Sequence, residues 1–168
     1  MLRVIFDTNI YGFLLKERDS AELENKIASD KEFIVYGYNP IRKELRDIPK
    51  LTKLSRKTRV ALLSMYDRIT GNHLLDQSLE VTHLAKKYYD YYRAEGGIYN
   101  WDTSIRIDFM IVACASMNGL DIIYSADSKT LLAKPAMKAY RHINLKESIR
   151  TPNLFEYSEL LLKLRNQV

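Results

Sequence analysis

Short apolar runs separated by stretches of helical period govern what this chain can become. Leu2–Phe6 and Asp121–Ala126 are such runs, the second built on Ile122, Ile123 and Tyr124, and Phe33–Tyr38 is rich in aromatic and β-branched residues. Runs this short, with little polar alternation, read as strands buried on both faces. Ile143–Leu145 is a fourth candidate strand. The stretches between them carry helix-end signals. Asp19 to Glu22 has the spacing of a capping box opening a helix toward Ser29. Asn39-Pro40 offers an N-cap with proline in the first helical position. Arg56–Ile69 stops at Gly71, Glu80–Ala94 at Gly96-Gly97, and the stretch from Ser104 to Met117 at Asn118-Gly119, a left-handed cap. Thr151-Pro152 opens a last amphipathic helix with Leu154, Leu160, Leu161 and Leu164. Strands alternating with helices predict an α/β fold with a mainly parallel, twisted sheet covered on both faces. No repeat, low-complexity tract or Pro/Gly/Ser linker divides residues 1–168, so one domain is expected.

Composition removes several function classes. No apolar run approaches the ~20 residues of a membrane span, and Asp7 cuts the amino-terminal run too short for a signal-peptide core. A single cysteine, Cys114, forms no intrachain disulfide and no thiolate zinc site, and it reads as a small core residue. His73, His83 and His142 lack metal-ligand spacing. A reducing, cytoplasmic setting follows as the expectation. The charge is unevenly placed. Ile41–Arg59 holds eight Lys/Arg against Glu44 and Asp47, a net of +6, whereas the whole chain carries +5. Such a run is either a solvated helical face or a patch for phosphates, with Arg42, Lys43, Lys50, Lys53 and Lys57 as the candidate phosphate contacts.

Four acids stand where solvent should not reach freely. Asp7 ends the first strand and Asp127 follows the strand ending at Ala126. In an open α/β sheet, residues at the carboxyl ends of strands face the functional crevice. Each could instead cap the following helix. Asp108 is the sharper anomaly, because Ile105–Ala115 is apolar nearly all round and Val112 and Ala115 share its face. An unpaired carboxylate there costs several kcal/mol or shifts its pKa. Arg106, two residues away, points elsewhere on the helix, so a cation shared with other acids explains Asp108 better. Glu44, one turn after Pro40, is the fourth, with a surface glutamate near a helix N-terminus as its alternative.

Taken in order, these residues resemble the PIN-domain family, above all its prokaryotic VapC-type ribonuclease toxins. The resemblance is carried by VIFDTNIYGFLL (Val4–Leu15), NPIRKEL (Asn39–Leu45) and IDFMIVACASMNGLDIIYSAD (Ile107–Asp127). The middle of the chain, Lys50 to Trp101, carries none of it. The resemblance implies a PIN-like three-layer α/β/α fold and a metal-dependent endoribonuclease. It implies Asp7 and Asp108 as principal metal ligands, completed by Glu44 and Asp127, with Asn9 and Ser125 orienting those carboxylates. Oxygen-only carboxylate ligands suit Mg²⁺ or Mn²⁺ rather than zinc. RNA is the implied substrate, and an antitoxin protein is the implied partner if the chain is a toxin.

Two other readings stay open. A PIN fold without turnover would be an RNA-binding or scaffold domain, although a scaffold has no reason to keep a buried Asp108. A doubly wound phosphotransfer or phosphatase domain would want a second acid near Asp7, where Thr8-Asn9 stands instead. A homodimer is expected as well. PIN-like toxins typically pair, and Glu80–Ala94 carries Val81, Leu84, Ala85, Tyr88 and Tyr92 at helical spacing, with Tyr89 and Tyr91 beside them. One sheet should not cover all of those rings, which predicts an exposed aromatic patch for a partner or for stacked bases.

Overall fold

The computed structural model describes residues 1–48, 53–103 and 105–166. In chain order the elements are β1 (Leu2–Phe6), α1 (Thr8–Lys16), α2 (Ser20–Ser29), β2 (Phe33–Tyr38), α3 (Asn39–Arg46), α4 (Lys53–Thr70), β3 (Leu74–Leu75), α5 (Leu79–Ala94), α6 (Ile105–Met117), β4 (Ile122–Ser125), α7 (Lys134–Lys146), β5 (Asn153–Glu156) and α8 (Tyr157–Asn166). The five strands form one sheet in the order β3-β2-β1-β4-β5, parallel throughout. Val4, Ile5 and Phe6 of β1 are fully buried, as a central strand of a parallel sheet requires. The fold is therefore the helix-covered α/β sheet expected from the alternation of apolar runs. The order also places the topological switch point between β1 and β4, since the chain builds outward through β2 and β3 before crossing to β4. A crevice belongs at the carboxyl ends of those two strands.

Several local expectations give way. Ile143–Leu145 is not a strand but the end of α7, where Ala136, Ala139, Tyr140 and Asn144 recur at helical spacing on the buried face and Leu145 is exposed. Leu154 does not belong to the last helix: Asn153–Glu156 pairs with β4 from Ile122↔Asn153 to Ser125↔Glu156, and the helix begins only at Tyr157. The two-residue β3 carries no period that a sequence could display. Asp19 precedes α2 but makes no capping bond, because its carboxylate accepts from Arg165 Nη2 at 2.9 Å. Asn39 is already helical and Pro40 lies in the first turn, with Tyr38 in the capping place.

The tyrosine-rich helix corrects the largest expectation. Tyr88 and Tyr92 do not form an exposed patch; they are 0% and 2% exposed. They close around Phe109 of α6, with Tyr92–Phe109 at 5.4 Å and Phe109–Tyr140 at 5.5 Å between ring centroids. Edge-to-face rings at such distances add to area burial. The Tyr88 hydroxyl donates to Asn144 Oδ1 at 2.5 Å, which satisfies its one polar atom. Tyr89 and Tyr91 are half-buried. The α5 route to a dimer falls with the patch, and so does base stacking on Tyr88 or Tyr92.

Gly97 shows how tightly this cluster is closed. A Cβ at that position would stand 2.2 Å from Tyr92 Cε1, while the amides of Ile98 and Tyr99 donate to the Tyr92 hydroxyl at 3.1 and 3.3 Å. The ring cannot withdraw without losing both bonds. Gly97→Ala is expected to destabilise the protein by ~1–3 kcal/mol, the usual cost of overpacking. A melting temperature equal to wild type would show that Tyr92 is free to move.

Candidate functional site

The carboxyl ends of β1 and β4 bring three of the four acids together, and α3 delivers the fourth. Asp7 follows β1 directly, its amide bonded to the Tyr124 carbonyl of the neighbouring strand at 2.9 Å. Asp127 follows β4 by one residue. α6 returns toward the start of β4, so its first turn lies at the carboxyl end of the sheet, and that turn carries Asp108. Glu44 comes from α3, which leaves β2 on the same side. Asp7 is 3% and Asp108 6% exposed; Glu44 and Asp127 are half-buried.

Hydroxyl groups tie these acids into one string. Thr8 Oγ1 donates to Glu44 Oε2 at 2.5 Å, and the Thr8 amide donates to Asp7 Oδ1 at 2.7 Å. Asp7 Oδ2 accepts from Asn9 Nδ2 at 2.7 Å and from Ser125 Oγ at 2.6 Å. Ser125 Oγ in turn accepts from the Asp127 amide at 3.0 Å. Asp127 Oδ1 accepts from the amides of Lys129 and Thr130 at 2.9 and 3.0 Å. Thr130 Oγ1 lies 2.6 Å from Asp127 Oδ2 and 2.5 Å from Asp108 Oδ2. Asp7 is thus a helix cap and a member of the cluster at once; the two roles use different oxygens. Asn9 and Ser125 both bear on Asp7, and Asn9 also accepts from the Ala126 amide at 3.1 Å, locking the first turn of α1 to the residue after β4.

The electrostatics follow from burial and crowding. Loss of solvent, then hydrogen bonds that oppose it, then the charges of Glu44 and Asp127 leave Asp7 pushed up to about 6. Loss of solvent and the charge of Asp7 push Asp108 up to about 8, with Asp127 and Glu44 adding to it. Glu44 is raised by burial, against the bond from Thr8. A hydroxyl has one hydrogen, so Thr130 donates to one carboxylate and can only accept at the other. The raised pKa of Asp108 favours the protonated carboxyl that a hydroxyl shared by both acids needs. By contrast, burial pushes the Cys114 thiol up to about 12, against a hydrogen bond with Asn118.

A groove of about 750 Å³ opens beside Glu44. Arg42, Lys43 and Arg46 line one part of it, Asp102 and Arg106 another. Ion pairing changes what the basic run offers. Arg42 is held by Asp67 through two bonds, at 2.8 and 2.9 Å, and Arg46 by Asp47 at 3.1 Å. Among the described residues, Lys43 and Arg106 have no ion-pair partner. Lys57 is exposed on α4 and does not line the groove; Lys50 and the Lys53 side chain lie outside what the structure describes.

The acid set fits a hard divalent cation in chemistry, being oxygen donors only, with mutual repulsion for a cation to relieve. Among the described residues, no three acidic, histidine or cysteine side chains converge closely enough to hold one as they stand. The hydroxyls of Thr8 and Thr130 hold the oxygens instead. Neither threonine was singled out above. The one available signal for Thr130 is its place three residues after Asp127, the spacing of a local side-chain-to-backbone turn.

Sheet order, helical cover and acid-lined crevice define the fold as PIN-like. One solved structure of similar fold is that of VapBC2 from Rickettsia felis bound to a DNA fragment from their promoter, with a TM-score of 0.60 and 13% identity over 92% of this chain and 98% of that one. A second is FitAB bound to an IR36 DNA fragment, with a TM-score of 0.59 and 15% identity over 92% and 94% of the two chains. No protein-family profile and no curated protein matches the sequence.

Proposed function

We propose that the chain is a Mg²⁺- or Mn²⁺-dependent endoribonuclease of the PIN type, acting as the toxin of a toxin–antitoxin pair. The observation that supports this best is the string of four acids, Glu44, Asp7, Asp127 and Asp108, linked by hydroxyls at the switch point of the sheet. A protein with no cation to bind gains nothing from burying Asp7 and Asp108 next to each other. Bound there, a divalent cation supplies the charge that activates water and stabilises the developing oxyanions of phosphodiester hydrolysis. Asp7 and Asp108 would hold it, with Glu44 and Asp127 at its sides. Asn9 and Ser125 keep the Asp7 carboxylate turned inward, and Thr8 does the same for Glu44. Lys43 and Arg106, the free cations of the adjoining groove, attract RNA phosphates.

The toxin–antitoxin part of the reading comes from the likeness to the VapBC2 and FitAB structures. An antitoxin is then the expected protein partner, and a small acidic or DNA-binding product of a neighbouring gene would be its source. The test is cleavage of total RNA by the purified chain with Mn²⁺, with EDTA, and with Asp7→Asn. Cleavage that needs Mn²⁺ and disappears in the variant is expected. An intact RNA pool in Mn²⁺, with RNA still bound, would leave a non-catalytic RNA-binding domain.

A further inference from the structure

We propose that Thr130 is a positioning residue that holds Asp108 and Asp127 as one unit toward a divalent cation; the proposal rests on the nuclease reading above. Thr130 is 5% exposed and comes from the turn after β4, whereas Asp108 sits 22 positions earlier on α6. Its hydroxyl is the side-chain partner of Asp108 among the described residues. With Asp127 it makes a closed pair of bonds, amide to Oδ1 at 3.0 Å and hydroxyl to Oδ2 at 2.6 Å. The turn therefore fixes Asp127 through the amide bond, which leaves the single hydroxyl hydrogen for Asp108 Oδ2 when both acids are ionised. Without the hydroxyl, Asp108 would keep its place on α6 but lose the contact that selects its rotamer. Residues that orient ligating groups in this way typically change metal affinity ~10–100-fold when removed.

The test compares Thr130→Val and Thr130→Ser in the full chain, with Mn²⁺ as the calorimetric probe and circular dichroism to check folding. Thr130→Val, which keeps the shape and removes the link, should weaken Mn²⁺ binding at least ~10-fold. Thr130→Ser should restore it to within about threefold, since serine keeps the hydroxyl. On RNA, kcat should fall while KM holds. Wild-type affinity in a folded Thr130→Val overturns the proposal. So does a folded Thr130→Ser as weak as the valine variant, which would make the role one of volume. If wild type binds Mn²⁺ but leaves RNA intact, the nuclease reading fails while the variant comparison stands. If wild type binds no Mn²⁺, both fail.

Discussion

Asp108→Asn should raise the melting temperature of the cation-free protein at pH 7.5 and abolish both Mn²⁺ binding and RNA cleavage. Asp108 is 6% exposed and pushed up to about 8, chiefly by burial and then by Asp7. Unfolded, the same carboxyl titrates near 3.8. Holding it folded at pH 7.5 therefore costs up to ~5 kcal/mol relative to a neutral group, at 1.36 kcal/mol per pH unit. Asparagine removes the charge and keeps the volume, but its amide must still meet Thr130, so about half of that gain is expected. For a chain of this size, ~2–3 kcal/mol corresponds to roughly 5–10 °C. The variant should thus be more stable and inert. Thermal melts and Mn²⁺ calorimetry check this together. Lost stability with unchanged Mn²⁺ affinity would make Asp108 a structural acid.

The second large effect is the pH dependence of the cation-free wild type. Asp7 pushed up to about 6 and Asp108 to about 8 mean that the folded state binds more protons than the unfolded state above pH 3.8. Their contribution is complete below about pH 4 and is lost as pH rises through 6 and then 8. Each group lowers stability by ~1.4 kcal/mol per pH unit within its window. Asp19, Glu80, Glu95 and Asp121 have lowered pKa values from hydrogen bonds and ion pairs, so they work in the opposite direction. Their window lies below the ordinary carboxylate range and does not offset the loss above pH 5. The melting temperature should peak near pH 4–5 and fall toward pH 8.5. Saturating Mn²⁺ should flatten the fall, because binding to the folded state alone is linked to its stability. A melting temperature that climbs steadily from pH 5 to 8 without metal would overturn the electrostatic description of the site.

Local regularities of the chain carried the sheet's inner strands and its acids. The apolar runs at β1, β2 and β4 are continuous because a parallel strand is buried on both faces, so their composition alone marks them. Asp108 stood out for the same reason: a charge inside a helix apolar all round has few stable explanations. Features set by partners distant in sequence could not be read this way. Asn153–Glu156 satisfies helical spacing as well as strand pairing, and only the open edge of β4 decides between them. Arg42 looks like a member of a phosphate patch until Asp67 occupies it. Tyr88 and Tyr92 look like an interface until Phe109 and Tyr140 arrive from α6 and α7 to enclose them. Thr130 is an ordinary turn residue in the chain and becomes the link between two acids only when α6 packs beside the end of β4. Periodicity and burial cost act within a few residues, and they made this an α/β chain with acids at its strand ends. Which charges remain free, and which hydroxyl meets which carboxylate, depends on contacts across tens of residues that only the packed sheet and helices create.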